Sequence, residues 1–356
     1  EVRAVLSAEQ AELVVRHFGI KPQGNFEHGT TVLEVVVPVA QLAHERGLPE
    51  EAVERELLAA RRVLFDVREK RVKPGRDDKL LAGWNGLMIR GLAFASRVFG
   101  RPEWARLAAG AADFVLSGMW NGTRLVRSYE EGRGRIDGFL EDYGDLASGL
   151  TALYQATFEV KYLEAADAIA ARAVELFWDD QRQAYFSAPR GQKDLICATY
   201  ALHDNAFPSG ASTLTEAQVA LGTLLGRPAL LEQAGRYIKR MRDEMVRNPF
   251  AYGHLLLASD SWLDATEVTL VGDRAGVEAL TAVVNGAYAP TVHLLAHDPA
   301  QPVPALLAEA LRDRDPVNGQ AAAYFCRAFA CELPLTSPIE LKSRVARMSA
   351  AHVTSF

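Results

Sequence analysis

One pattern recurs three times along this chain of 356 residues. A polar, turn-like lead-in is followed by an almost wholly apolar helix, a short break and an amphipathic helix. The first copy starts at Asp77-Asp78-Lys79, passes through Trp84-Asn85-Gly86 to Phe99-Gly100, and resumes at Pro102. The second starts at Glu141-Asp142-Tyr143, reaches Val160, and continues from Tyr162 to Trp178. The third starts at Asp204-Asn205-Ala206-Phe207-Pro208-Ser209-Gly210, reaches Leu225-Gly226, and continues from Pro228 to Val246. At a shift of 59 residues Leu87 falls on Leu146 and Val115 on Val174, and at a shift of 67 Leu163 falls on Leu230. Such a repeat of helix pairs constrains the fold more than any other feature of the sequence.

The two helices of each pair differ in kind. Leu230, Ala234, Tyr237, Ile238, Met241 and Met245 recur at helical spacing, with Glu232, Arg236, Lys239 and Asp243 on the opposite side. That is a one-faced surface helix. Leu80 to Phe99, by contrast, is apolar nearly all round and is expected to be buried on every side. Alternating buried and half-buried helices imply two concentric layers, as in a toroid or solenoid. The fold class expected is mainly α: an (α/α) toroid, incomplete in this chain, with a small C-terminal β-α-β unit. Residues 1–262 are expected to carry the helical hairpins and residues 263–356 an α/β appendage.

In that appendage Glu267–Gly272 reads as a buried strand ending in a turn. A helix is expected from about Gly276 to Asn285, then a strand at Thr291–Ala296 and a third at Ala322–Cys326. Near the start, Thr31–Val37 reads as a strand and Glu51–Arg68 as a charged outer helix. The net charge of −6 argues against nucleic acid, whose phosphates need a basic face. No apolar run approaches the roughly 20 residues of a membrane span. Three cysteines, an odd and low count, read as reduced thiols of a cytoplasmic protein, with no disulfide among Cys197, Cys326 and Cys331. No cofactor motif is present. His17, His28, His44, His254, His293, His297 and His352 have no partner at metal spacing, so no metal is expected.

The run Arg76-Asp77-Asp78-Lys79-Leu80-Leu81-Ala82-Gly83-Trp84-Asn85-Gly86-Leu87-Met88-Ile89 resembles a signature of the family that joins bacterial YyaL to animal spermatogenesis-associated protein 20. Further matches follow in order: Gly24–Glu27, Gly138–Tyr143, Pro208–Ser212, Glu267–Gly272, and Tyr324–Cys326 with Cys331–Pro334. The resemblance implies a toroid of the six-hairpin glycosidase type, related in shape to N-acylglucosamine 2-epimerase. It also implies a thioredoxin-like domain and first hairpins that this sequence lacks. Those are expected to exist as a separate or preceding segment, or to be replaced by a second copy covering the open flank. The family gives fold more than function.

In a toroid the loops leading into the inner helices gather at one mouth. Candidate catalytic residues there are Asp142, Asp204, Asp78 and His203; candidate substrate-binding residues are Trp84, Asn85, Tyr143, Glu141 and Ser209. Paired carboxylates with aromatic platforms suit sugar chemistry, one acid protonating a leaving oxygen while the other attacks or activates water. An epimerase instead needs an acid and a base, often His. Asp78, Asp142 and Ser209 also suit helix N-caps, and Trp84 and Tyr143 also suit the core. Asp142→Asn is expected to abolish carbohydrate turnover while costing little stability, because Asn caps about as well as Asp but cannot serve as an acid or nucleophile. The expected function is therefore a carbohydrate-active enzyme, hydrolase or epimerase/isomerase, with a carbohydrate or other small polar ligand. The alternative is a non-catalytic toroid that binds a thioredoxin-like domain or a peptide.

Overall fold

The computed structural model describes residues 1–192, 197, 199–200, 202–328 and 330–354, side chains beyond 348 excepted. Contacts group the chain into two compact units, Glu1–Asp77 and Asp78–Phe356. The sheet that the sequence sets apart after 262 falls inside the second unit.

The first unit holds α1 (Val2–Val5), α2 (Ala8–His17), α3 (Val39–Arg46) and α4 (Glu50–Glu69). Their apolar faces close on Leu13, Val14, Leu42, Val53 and Leu57. Ser7 caps α2 by accepting from the Gln10 N–H at 3.3 Å. The strand expected at Thr31–Val37 is absent. The Val32 N–H and C=O both bond to the Asn25 side chain, and the Val36 N–H bonds to the His17 carbonyl. With its backbone held by local partners, this segment has no ladder to join, and Val32, Leu33, Val35 and Val36 stay exposed.

In the second unit three hairpins follow one another: α5 (Ala82–Phe99) with α6 (Pro102–Gly118), α7 (Leu140–Thr157) with α8 (Val160–Phe177), and α9 (Gly210–Leu224) with α10 (Pro228–Arg247). A further helix, α11 (Gly253–Asp264), packs against α9. The first member of each pair lies inside. α5 packs on α7, α7 on α9 and α9 on α11, so four inner helices form an arc of an (α/α) toroid with α6, α8 and α10 outside. Nearly every residue of α7 and α9 is buried. The inner helices meet backbone to backbone. A Cβ on Gly149 would come within 2.4 Å of the Gly86 carbonyl oxygen, and one on Gly144 within 2.4 Å of the Gly210 oxygen.

α5 departs from expectation in two ways. Leu80–Leu81 forms a short strand, β1, and the helix starts at Ala82. Nor is α5 buried all round, because Trp84, Met88, Val98 and Phe99 are 60–67% exposed. It is the end helix of this unit's arc, with an inner neighbour on one flank only.

β1 joins a hairpin that the sequence reading missed, β2 (Val126–Glu130) with β3 (Arg133–Asp137), in antiparallel order β1-β2-β3. Its turn signal was present: Glu131 and Gly132 both take positive φ, as a tight hairpin turn requires. β4 (Trp178–Asp179) and β5 (Ala184–Tyr185) make a second small pair.

The C-terminal sheet has the order β7-β6-β8-β9, from β6 (Thr266–Val271), β7 (Val292–His297), β8 (Ala322–Arg327) and β9 (Ala330–Cys331). β6 and β7 are parallel and joined through α12 (Arg274–Asn285), the expected β-α-β unit. α12 and α13 (Pro338–Thr354) cover one face. Val271 and Leu295 enter the helical core on the other. One expectation fails here, for Cys326 and Cys331 are disulfide-bonded. The argument from five-residue spacing assumed one continuous strand. The chain instead reverses between β8 and β9, making the two cysteines direct cross-strand partners 4.0 Å apart at Cα. Cys197 is free and exposed.

Candidate functional site

The β2–β3 hairpin carries Arg127 to the start of α7. There its guanidinium meets Glu141 at 2.5 Å and Asp142 at 3.1 Å, and lies over the Phe139 ring. Both oxygens of Asp142 are spent. Oδ1 accepts the Gly83 N–H of α5 at 3.1 Å, and Oδ2 accepts the Phe139 N–H at 3.0 Å as well as Arg127. Burial raises the Asp142 carboxyl above the ordinary carboxylate range despite these donors. Asp145, one turn on, is 3% exposed and accepts the Thr213 hydroxyl of α9 at 2.8 Å. Burial pushes it well up, and Glu141, Asp142 and Glu216 push the same way, so it holds its proton above the ordinary range.

Further along the inner face, four helices converge on one carboxylate. Glu216 of α9 takes a forked bond from Arg90 of α5, 3.1 Å at Nε. Ser148 of α7 donates to it at 2.7 Å, and Nε2 of His254 on α11 lies 3.1 Å away. Burial alone would raise the Glu216 carboxyl, but Arg90 and His254 outweigh it and hold the group well below the usual range. An ionised Glu216 needs donors, so in the neutral imidazole Nε2 of His254 is the nitrogen that bears hydrogen. Arg90 and Glu216 retain about a fifth to a quarter of their side-chain exposure, so the group reaches solvent.

None of these four was singled out from sequence, yet a signal existed. Glu216 is the one charge of the otherwise apolar helix α9, and Arg90 sits in the apolar middle of α5; a charge in such a setting requires a partner.

The structure separates most of the predicted residues from one another. Tyr143 is 2% exposed, packs on Trp120 and Phe177, and accepts the Leu125 N–H. It is a core residue and not a sugar platform, because α7 turns that face towards its outer partner. Asp204 accepts the Ser209 N–H with Oδ1 and the His254 and Leu255 N–H groups with Oδ2. It thus caps α11 and has no oxygen left for proton transfer. Ser209 caps α9. The residue before α5 is Leu81, so Asp78 does not stand at the N-cap position expected of it. Asp78 is exposed, as is His203, which rests against the Tyr252 ring. Trp84 is 60% exposed, and Asn85 bonds back to the Leu81 carbonyl. Among the predicted residues, Asp142 and Glu141 come together through Arg127, and Asp204 and Ser209 through the Ser209 N–H. The His352 side chain lies outside the described residues.

No family model matches the chain. Among curated proteins, spermatogenesis-associated protein 20 of Homo sapiens is 30% identical over 93% of this chain and 45% of its own length. The Rattus norvegicus protein of that name is 29% identical over the same shares. The chain thus spans about half the length of the curated relatives it matches. Solved structures with similar folds include a GH76 α-mannanase of Bacteroides thetaiotaomicron (13% identity, TM-score 0.46, 80% of this chain and 73% of that one). The cellobiose 2-epimerase of Bacillus thermoamylovorans is similar at 14% identity and TM-score 0.40, over 47% of this chain and 45% of that one. Likenesses this loose carry no statement about activity. Over nearly its whole length, the chain is thus a homologue of the proteins named spermatogenesis-associated protein 20 (YyaL-like).

Proposed function

We propose that the second unit acts on a carbohydrate as an isomerase or epimerase, with His254 as the proton-transferring group. The observation that carries this reading is the convergence of Arg90, Ser148, Glu216 and His254, one from each inner helix, on a partly open polar focus. Glu216 fixes the imidazole so that Nδ1 is the basic nitrogen. A base so placed removes the proton beside a sugar carbonyl and returns it to the neighbouring carbon or to the opposite face. Hydrolysis fits less well. It needs two carboxylates free to face the scissile bond, whereas Asp142 and Asp204 are spent on backbone N–H groups and Asp145 is buried.

Incubating the protein with reducing sugars and their phosphates in heavy water, with NMR detection of deuterium at the carbon beside the carbonyl, tests the proposal. Exchange is expected in the native protein and a loss of at least 100-fold, on the order of a missing acid–base group, in His254→Gln. Exchange unaffected by His254→Gln rejects the assignment.

A second reading, a non-catalytic binding module, is favoured by the capping roles of Asp142, Asp204 and Ser209. Sugar binding by calorimetry with no exchange for any sugar would select it.

A further inference from the structure

A large cleft of the second unit lies at the other end of the inner helices. It has a volume of about 1270 Å³ and opens between the C-terminal turns of α5 and α7, α6 and the length of α12. It sits at the carboxyl ends of the parallel strands β6 and β7, reaching Gly272 after one and His297 after the other. Crevices at such strand ends are the usual ligand sites of open parallel sheets.

Its charges are unevenly satisfied. The three carboxylates on its walls are engaged: Glu159 with Lys161 at 3.4 Å, Glu278 with Arg274 at 2.8 Å, and Asp298 with the Ala300 N–H at 2.9 Å. Two guanidiniums are not. Arg97 gives its Nε–H to the Asn285 amide at 3.0 Å and has no carboxylate partner among the described residues. Burial lowers it to about 10, with no acidic neighbour to offset the loss of water. Arg106, one helix over, is exposed and has no carboxylate partner among the described residues either. The Thr281 hydroxyl, on the same wall, is buried without a hydrogen-bond partner. A desolvated cation and an unmet hydroxyl are both costly unless something binds them. The rest of the wall is largely apolar, including Val98, Phe99, Ala109 and Val277.

We propose that this cleft binds a small amphipathic anion, its carboxylate or phosphate head held by Arg97 and Arg106 and its apolar body lying along α6 and α12. The site is separate from the Glu216 focus and does not depend on the activity proposed there.

Calorimetric titration of the whole chain with octanoate, octyl phosphate, acetate and inorganic phosphate tests it. Octanoate or octyl phosphate is expected to bind roughly tenfold or more tightly than its short counterpart, because the chain leaves water. The preferred head group distinguishes a carboxylate ligand from a phosphate one. Arg106→Ala and Arg97→Gln should each weaken binding about tenfold, as expected for a charge-assisted hydrogen bond. Ala282→Trp, from an exposed position on the cleft wall, should block it. His254→Gln should leave it unchanged. The proposal is overturned if neither amphiphile binds below millimolar concentration. It is equally overturned if binding survives both Arg106→Ala and Ala282→Trp, or disappears in His254→Gln. Should Arg97→Gln fail to fold, the two substitutions at exposed positions decide the matter.

Discussion

Asp142 shows how far one side chain's geometry can alter what a substitution does. As a plain cap it would tolerate Asn. In the structure both oxygens accept, from Gly83 on one side and from Phe139 and Arg127 on the other. Asn has a single acceptor, so one donor would face an NH₂ group. Asp142→Asn is expected to cost about 1–3 kcal/mol, measurable by urea unfolding, and not the few tenths of a simple cap exchange. Asp145 behaves differently. Its folded-state carboxyl holds its proton to higher pH than in the unfolded chain, where it stays near 3.8. The folded state therefore binds more protons across that interval, and stability falls as pH rises through it. Asp145→Asn, which mimics the protonated group and can still accept from Thr213, should flatten that fall in melting curves taken from pH 4 upward. The capping serine was legible in the sequence because Ser before an apolar run announces a helix start. Asp145, Glu216 and His254 were not, because what sets them apart is which residues of other helices they face.

At the scale of elements, the helices were read closely and the short strands poorly. The outer helix α10 spans Pro228–Arg247, where the periodic run Leu230–Met245 had placed it. Hydrophobic period makes such helices visible. The β2–β3 hairpin that delivers Arg127 has an exposed strand, β3, and so shows no apolar alternation. The β8–β9 reversal was missed for a related reason, since β9 has only two residues. Its disulfide leads to a direct expectation. Under denaturing, non-reducing conditions a thiol reagent should titrate one cysteine, Cys197, and after reduction three. Three thiols without reductant would contradict the bond. A disulfide also removes the ground on which a reduced, cytoplasmic setting was expected, since such bonds persist in oxidising compartments. No described helix is long and apolar enough to cross a membrane.

For the second unit as a whole, the sheet and the helical arc are joined through buried polar contacts that should make acid stability depend on one residue. His293 of β7 lies against Ser261 of α11 at 3.0 Å, and burial pushes its imidazole down to about 4 from 6.5. Between those values the unfolded chain binds the extra proton and the folded one does not, so stability is lost as pH falls from about 6.5 to about 4. The full effect is on the order of 3 kcal/mol. His293→Gln, which can still bond Ser261, should remove most of that slope in denaturant titrations at pH 4.5 and 7.

The glycine contacts between inner helices bear on how exactly the arc is made. Where side chains separate two helices, their distance can drift as residues change size, and a site strung between them drifts as well. Here the spacer is the peptide unit itself, with Gly149 against Gly86 and Gly144 against Gly210. The gauge of the arc is thus set by backbone contact at these glycines, and a side chain at either Gly144 or Gly149 would have to push the helices apart. Three side chains reaching from three helices for the carboxylate of a fourth keep their register for the same reason that rails laid on identical sleepers stay parallel.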